Sequence, residues 1–372
     1  MNGRDLRRFA LFLTAVACLL SAPTLAAQQG PATPPPDISK WDLICFCITS
    51  VSTPHFAVRA DANGQILYYA QSGATKSQLE QAMRAPVLNS QLYLLRDWRL
   101  LKHDGDVYTT NIPVLGPDKS AQLREDMRNL ASEILPKMRP QVRKIAAELQ
   151  QRKLSDHLYS VLFSYVLDGL TWDELKASKA IPEMQITADH PFWDGTFWAR
   201  YPTRAAEPGT NSTGPHGITL LMTWTDPVLK QLLALQDAPK LTAMLQRAAK
   251  GDCRGLSVED ATHNEWSLGT ADGSCLFPVI HEDAHDPIYA TGEQIAQQIA
   301  RAVLANDVQK LIGGGASLQQ AHLIEAHELM WEVLDIMVRE GMVHEPSVLR
   351  TGTATTTVLS RLLVVTVQKQ TD

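Results

Sequence analysis

Two histidines at positions 281 and 285 have the spacing of a zinc site. The stretch HEDAH matches H-E-x-x-H, in which two histidines one helical turn apart bind zinc and the glutamate activates a metal-bound water. That chemistry requires a helix, but Asp286 and Pro287 follow directly, and the proline would remove a backbone hydrogen bond from such a helix. We therefore expect His281 and His285 to lie in a loop between a strand and a helix. A zinc-dependent hydrolase that uses HEDAH stays as an alternative function; the preferred interpretation has no cofactor.

A second group of metal-binding residue types lies in a predicted helix over residues 317–341. His322, Glu325, Glu328 and Glu332 recur at spacings of three and four, so they share one helical face. Carboxylates and a histidine can bind metal, but the order H-x-x-E is the reverse of the E-x-x-H order found in di-iron bundles. A solvated acidic face is the preferred interpretation.

Four aromatic residues belong to two predicted strands. The stretches HPFWDGTFWARYP and GITLLMTW are expected to pair across the polar loop that joins them. Packing explains aromatic residues in such a sheet, and the alternative is an aromatic-walled pocket for a sugar, a peptide or another amphipathic ligand. The candidate ligand-binding residues are Trp193, Trp198, Tyr201 and Trp224.

The first 26 residues have the pattern of a secretory signal peptide. A basic start, MNGRDLRRF, precedes an apolar run that is short for a membrane span, and small residues follow at the expected cleavage position. Residues 27–37 are rich in proline and predict an extended linker. We expect an exported protein, periplasmic or secreted, without a membrane span after cleavage. An uncleaved anchor and lipid attachment at Cys18 are the alternatives.

Charge and cysteine content restrict the function further. The chain has a net charge of −6, and because the signal segment is basic, the mature part is more acidic still. Such a protein does not attract nucleic acid through bulk charge. An exported chain permits disulfides, and we expect Cys253 to pair with Cys275. We expect Cys45 and Cys47 to point into apolar surroundings.

Residues 38–115 contain an ordered series of short predicted elements. A short helix over DISKWDLICFCITS is followed by two strands around Asn63-Gly64, a strong hairpin signal. A helix with a capping box at Thr75 and Gln78 comes next, then a helix over NSQLYLLRDWRLL and a hairpin around Asp104-Gly105. Two adjoining helices followed by a hairpin resemble the winged helix-turn-helix superfamily. The resemblance implies DNA binding through the second helix or, as in many members, protein binding.

The residues of that second helix meet only part of what DNA reading requires. Arginine, lysine, asparagine and glutamine contact base edges and phosphates. The candidates for nucleic-acid contact are Gln91, Arg96, Arg99 and Lys102. This set is small and Asp97 lies among it, so protein contact is the preferred interpretation.

Two further helices are predicted between residues 119 and 169. The first carries a continuous apolar stripe, and Pro136 and Pro140 should kink or split it. The second, SDHLYSVLFSYVLDG, should be buried and end at Gly169, with Asp168 explained by turn formation.

Together these patterns predict an α+β protein of two parts. A winged-helix-like domain over 38–115 precedes a mixed domain over 116–372, in which a small antiparallel sheet packs against helices. The preferred function is that of an exported, non-enzymatic binding protein whose winged-helix-like module contacts an unknown protein, or which binds a small ligand. A DNA-binding regulator of winged-helix type is the alternative, and nucleic acid is not expected as a partner if the chain is exported.

Overall fold

The computed structural model describes residues 33–50, 52–204, 207–306, 312, 316–352 and 355–369. The predicted signal peptide, Cys18 and most of the proline-rich linker lie outside these residues. Pro34–Asp372 forms one compact unit. The α+β class, with small sheets packed against helices, is confirmed. The domain boundary at residue 115 stays a prediction.

The helices and strands follow one another in a mixed order. The strands are β1 Asp42–Thr49, β2 Ala74–Thr75, β3 Leu101–Asp104, β4 Val107–Thr110, β5 Val114–Leu115, β6 Trp193–Arg200, β7 Gly209–Thr213, β8 Ile218–Trp224, β9 Ser257–Glu259, β10 Glu265–Ser267, β11 Val279–Glu282 and β12 Leu363–Gln368. The helices are α1 His55–Arg59, α2 Asn63–Tyr69, α3 Lys76–Met83, α4 Asn89–Asp97, α5 Pro117–Gln151, α6 Leu158–Ser160, α7 Thr171–Ala177, α8 Asp226–Gln236, α9 Leu241–Ala248, α10 Pro287–Ala305, α11 Leu318–Arg339, α12 Val348–Thr351 and α13 Thr356–Leu359. A π-helix, Val161–Leu170, connects α6 to α7.

The hairpin predicted around Asn63-Gly64 is wrong, because this stretch forms α1 and α2. The side chain of Asn63 is buried and donates a hydrogen bond of 2.7 Å to the carbonyl of Ala57. A side chain at Gly64 would collide with Asp37, so the glycine permits close contact with the preceding turn. Contacts with other parts of the chain thus hold the Asn-Gly pair in a helix, although the same pair favours a turn in isolation.

The short helix predicted at the start is a single 3₁₀ turn, Ile38–Lys40, and β1 follows it. Asp37 is the N-cap of this turn, and its side chain accepts a hydrogen bond from the backbone amide of Ser39 at 3.0 Å. β1 then pairs antiparallel with β6 from Asp42 opposite Arg200 to Thr49 opposite Trp193. The distant strand β6 is therefore what determines the extended conformation here.

The predicted helices α3 and α4 and the hairpin β3–β4 are present. Thr75 and Gln78 form the capping box of α3. α4 buries Leu92 and Leu95, with Trp98 at its end. The hairpin joins β2 in a sheet of order β2-β4-β3. The winged-helix assignment itself stays a prediction.

α5 runs for 35 residues without interruption, although Pro136 and Pro140 lie inside it. The predicted split is therefore wrong. Its buried stripe, which includes Leu135 and Met138, packs against α10 and α11. This continuous packing compensates for the backbone hydrogen bonds that the prolines cannot donate.

β6 and β8 belong to different sheets, so the predicted pairing between them is wrong. β6 lies between β1 and β5, whereas β8 lies between β12 and β7 in a sheet of order β11-β12-β8-β7. β6 is buried on both faces, because alternate residues face two different hydrophobic cores. The loop predicted between the two strands contains β7 instead.

Two hydrophobic cores organise the chain. The smaller core, here called the N-terminal core, combines residues between Ile38 and Ile112 with Trp193, Phe197 and Ala199 of β6. The larger core joins α5, the π-helix, α10 and α11 to the β8 sheet. β6 thus connects the two cores. Within the described ranges, no helix is both long and apolar enough to cross a membrane.

Candidate functional site

The two histidines of HEDAH do not share a helix. His281 lies in β11, His285 lies in the following turn, and both are exposed. α10 begins only at Pro287, with Asp286 as its N-cap. Asp286 also accepts a hydrogen bond from Arg152 at 3.2 Å. Among the residues described, no group of three or more histidine, cysteine, aspartate or glutamate side chains is arranged to hold a metal ion.

The acidic face predicted on α11 is buried, so the prediction of a solvated face is wrong. Glu325 and Glu328 are fully buried, Glu332 is 2% exposed and His322 is 8% exposed. Buried carboxylates need compensating partners. Glu328 and Glu332 obtain them from arginines that follow or end β6, and Glu325 accepts a hydrogen bond from the side chain of Asn306 at 2.6 Å.

We call this group of ion pairs the arginine–carboxylate cluster, and Arg200 is at its centre. Arg200 is fully buried at the end of β6 and forms ion pairs with Glu328, Glu207 and Asp42, the last at 2.8 Å. Burial alone would lower the pKa of Arg200, but the carboxylates of Glu328 and Glu207 outweigh it and raise the pKa. Burial also raises the pKa of Glu207 to about 7, against the opposing effect of Arg200.

Arg204 extends the cluster toward the surface. Its guanidinium forms ion pairs with Glu332 and Glu328, and its backbone amide donates to Asp42 at 2.8 Å. The indole of Trp331 lies beneath both arginines, 4.9 Å from Arg200 and 5.6 Å from Arg204. The cluster therefore joins β6, the loop that follows it and α11 by charge pairing and cation–π contact. Its members are Asp42, Arg200, Arg204, Glu207, Glu328 and Glu332.

The four aromatic candidates do not form one pocket. Trp193 faces the N-terminal core and donates to the carbonyl of Trp98 at 2.8 Å, whereas Trp198 faces the larger core. The two lie five residues apart on one strand, so they occupy opposite faces. Tyr201 packs against Trp41 in the N-terminal core. Trp224, on β8, packs over Gly209.

A pocket next to the arginine–carboxylate cluster combines apolar walls with a few polar groups. We call it the α11 pocket. Its cavity volume is about 20 Å³, room for about one water molecule, and it opens to solvent. Its apolar lining comes from Phe46, Leu167, Leu175, Leu323, Ala326 and Met330. The remaining lining residues are Asp168, Thr171, Trp172 and His327.

Asp168 is the acidic residue of this pocket, and sequence reasoning missed it. The predicted helix does not end at Gly169, because the π-helix continues directly into α7. Asp168 is half-buried and faces the pocket instead of a surface turn. Burial raises its pKa to about 6, although a hydrogen bond with Thr210 acts in the opposite direction.

His327 lies on the opposite element, α11, between aromatic rings. The ring centroids of Trp331 and Trp198 lie 4.1 Å and 5.2 Å from its own, both edge-on. Its Nδ1 is buried without a hydrogen-bond partner. Burial, followed by the charges of Arg200 and Arg204, lowers its pKa to about 3. His327 is therefore a neutral side chain at physiological pH.

Two of the four candidates for nucleic-acid contact are engaged within the protein. Gln91 is buried, and its side chain accepts a hydrogen bond from the backbone amide of Leu88 at 2.9 Å. Arg99 forms an ion pair with Asp194 at 3.2 Å and lies over the ring of Trp193. The other two candidates, Arg96 and Lys102, are exposed.

The same helix instead exposes apolar side chains. Leu88, at the N-cap of α4, is 55% exposed, and Tyr93 within α4 is 60% exposed. The guanidinium of Arg96 lies 5.9 Å from the ring centroid of Tyr93. We call Leu88, Tyr93 and Arg96 the α4 surface.

The described residues contain two disulfides. Cys253 bonds to Cys275, with their Cα atoms 5.1 Å apart. Cys45 bonds to Cys47, with their Cα atoms 5.4 Å apart, and both pack against the N-terminal core. The second bond was not predicted, because only one residue separates its cysteines. Phe46, between them, points to the larger core and the α11 pocket.

Comparisons with protein-family models, curated proteins and solved structures gave no match.

Proposed function

We propose that this chain is an exported, non-enzymatic binding protein that contacts a partner protein through the α4 surface. The exposure of Leu88 and Tyr93 carries the proposal. An exposed tyrosine with a neighbouring arginine has the composition of many protein-interface centres. Burying such side chains against a partner contributes on the order of 2 kcal/mol each.

The internal contacts of Gln91 and Arg99 favour a protein partner over DNA. A glutamine that caps its own helix is not free to bind a base edge, and an arginine held by Asp194 is not free to bind a phosphate. The acidic net charge of the chain supports the same choice. Order and pairing of the α3, α4, β3 and β4 elements remain compatible with the winged-helix resemblance.

Binding is also favoured over zinc-dependent hydrolysis by the positions of the candidate metal-binding groups. The exposed histidines of HEDAH lie outside a helix, and the carboxylates of Glu328 and Glu332 are paired with arginines. Paired carboxylates of this kind stabilise structure and are poorly suited to proton transfer.

The test compares two substitutions of exposed apolar residues in the mature protein. Tyr93→Asp should abolish co-migration of the protein with its partner in a native extract of the host envelope, whereas Leu233→Asp, at an exposed position of α8, should not. Loss of an interface centre typically weakens binding by about 2 kcal/mol, or roughly 30-fold. Equal retention of the complex by both variants would overturn the proposal. Salt-dependent binding of duplex DNA that is lost with Arg96→Ala would favour the regulator instead.

A further inference from the structure

We propose that the Cys45–Cys47 disulfide is a thiol–disulfide exchange site that oxidises a pair of thiols on a substrate. This activity is separate from partner binding at the α4 surface, so it does not depend on the proposed function. Three features carry the inference: the short loop that the bond closes, the partial exposure of both cysteines, and the pairing of β1 with β6, which holds them on one face.

The Cys45–Cys47 bond gains little protection from the fold, because it closes a very short loop. A disulfide stabilises a protein mainly by restricting the unfolded chain, and this effect grows with the length of the loop. Cys45 and Cys47 are 2 positions apart, whereas Cys253 and Cys275 are 22 positions apart. By thermodynamic reciprocity, a bond that stabilises the fold more is itself stabilised more by the fold. Reduction should therefore open Cys45–Cys47 before Cys253–Cys275.

Both cysteines of this bond are partly exposed. Cys45 and Cys47 are half-buried, and β1 becomes exposed directly after them, with Ile48 37% exposed. In the other disulfide, Cys253 is fully buried. Exchange requires that an attacking thiolate reach a sulfur atom, and exposed disulfides are the ones that exchange most readily. Access and loop length thus single out the same bond.

The strand keeps the two cysteines together when the bond opens. Alternation along β1 places Cys45 and Cys47 on the face of the N-terminal core, with Phe46 on the opposite face. β1 pairs with β6 along its whole length, and Phe46 stacks on Trp172 with the ring centroids 4.1 Å apart. These contacts involve neither sulfur, so the reduced strand holds both thiols side by side. The site can therefore be oxidised again and used repeatedly.

Cys47 is the cysteine that an incoming thiolate reaches more easily. Its partner across the ladder is Gly195, which has no side chain, and a Cβ there would lie 2.8 Å from the sulfur of Met184. The half-buried and flexible methionine therefore fills this place. The partner of Cys45 is Phe197, whose ring is 1% exposed and packed in the N-terminal core. A movable side chain beside Cys47 and a fixed ring beside Cys45 assign the attack to Cys47.

The exchange balances with a substrate dithiol as the reductant. A substrate thiolate attacks Sγ of Cys47 and forms a mixed disulfide, while the electron pair of the broken bond passes to Sγ of Cys45, which takes up a proton. The second thiolate of the substrate then attacks the substrate sulfur of the mixed disulfide, and Cys47 leaves as a thiolate that is also protonated. The substrate gains a disulfide and the protein gains two thiols. A low-molecular-weight disulfide, such as oxidised glutathione, restores the starting state by the reverse exchange.

The first experiment compares the two disulfides within the unsubstituted protein. The mature protein is equilibrated in mixtures of reduced and oxidised glutathione, free thiols are alkylated, and mass spectrometry of peptides locates them. The ratio of squared reduced glutathione to oxidised glutathione that half-reduces Cys45–Cys47 should be about 30-fold lower than the ratio for Cys253–Cys275, because of the difference in loop length. Equal ratios, or earlier reduction of Cys253–Cys275, would overturn the proposal.

The second experiment measures the activity with a synthetic peptide that contains two cysteines. Oxidised protein should oxidise about one equivalent of the peptide dithiol. The double variant Cys45→Ser with Cys47→Ser should lose this activity, whereas the matched control Cys253→Ser with Cys275→Ser should keep it. Peptide oxidation that persists without Cys45 and Cys47, or that is absent from the unsubstituted protein, contradicts the exchange site. The glutathione titration needs no substitution, so it decides the question if a variant does not fold.

Discussion

The α4 surface exposes side chains of types that proteins usually bury, whereas the region around α11 buries side chains of types that proteins usually expose. The first exposes Leu88 and Tyr93, whereas the second buries Glu328 and Arg200 completely. Neither arrangement is required by the local helix, because both helices could have carried ordinary amphipathic faces. Each therefore indicates an interaction that the helix alone does not explain.

The difference concerns where the compensating partner is found. The buried charges of α11 have theirs within the chain, in the arginines at and after β6. In the described part of the chain, the exposed apolar side chains of α4 are not covered by other residues, and we infer that their partner lies on another protein. Buried charges that are paired within the chain stabilise the fold, whereas exposed apolar side chains are available to bind another protein.

Removing Arg200 should have the largest effect on the stability of the protein. Arg200→Met leaves Glu328 buried without its partner, so the free energy of unfolding should fall by about 3–5 kcal/mol. The matched control is Arg139→Met, whose ion pair with Glu340 is over one third exposed and should contribute about 1 kcal/mol or less. Urea denaturation of both variants measures the difference, and equal losses would mean that the cluster is not structural.

The two disulfides should contribute unequally to stability. Cys253 and Cys275 are separated by 22 positions and Cys45 and Cys47 by two, so the first bond restricts the unfolded chain far more. Replacing the first pair with serine should lower stability by about 3 kcal/mol and replacing the second pair by about 1 kcal/mol. Thermal unfolding of the two double variants tests this order. A larger loss of stability for the variant without the Cys45–Cys47 bond would contradict it.

Glu325 should make the stability of the α11 region dependent on pH. Burial raises its folded pKa to about 8, well above the unfolded value of about 4.3. The folded state therefore favours the protonated acid, and this contribution is present at low pH and lost as the pH rises toward 8.

Glu325→Gln should accordingly raise the free energy of unfolding at pH 8 by on the order of 2 kcal/mol and leave it nearly unchanged at pH 4. Denaturation at the two pH values makes the comparison. A variant that is destabilised at pH 8 would show that the carboxylate is needed in its charged form.

The smallest effect on stability is expected at the α4 surface itself. Tyr93→Asp should change the free energy of unfolding by no more than about 0.5 kcal/mol, because the side chain is exposed. Leu95→Ala, two residues away and fully buried, should lower it by about 2–5 kcal/mol. Circular dichroism with denaturant compares them, and a large loss for Tyr93→Asp would assign that ring to packing.

Local signals in the sequence predicted the elements that depend on local interactions. The capping box at Thr75 and Gln78 marked the start of α3, and Asp104-Gly105 marked the β3–β4 turn. The Asn63-Gly64 signal was equally local, but Asn63 is bound by Ala57 and Gly64 packs on the preceding turn. The conformation of a segment cannot be predicted from its own sequence when a contact with another segment determines it.

The contacts of the candidate site were still harder to predict from the sequence. Glu328 and Glu332 look solvated on a helical projection, since their arginine partners lie 128 positions away in the chain. A usable signal did exist: Arg200 and Arg204 are four residues apart, as are the two glutamates. Asp168 carried no such signal, because the other walls of its pocket come from Phe46 and His327.

Site-specific photocrosslinking at position 93 tests whether the α4 surface contacts a partner protein. A photoreactive phenylalanine analogue replaces Tyr93 in the full-length protein in its native host, and the same analogue replaces Leu233 in the control. We expect a protein adduct of one defined mass at position 93 that is absent at position 233. No adduct at 93, or the same adducts at both positions, would contradict the α4 surface as the site of partner binding.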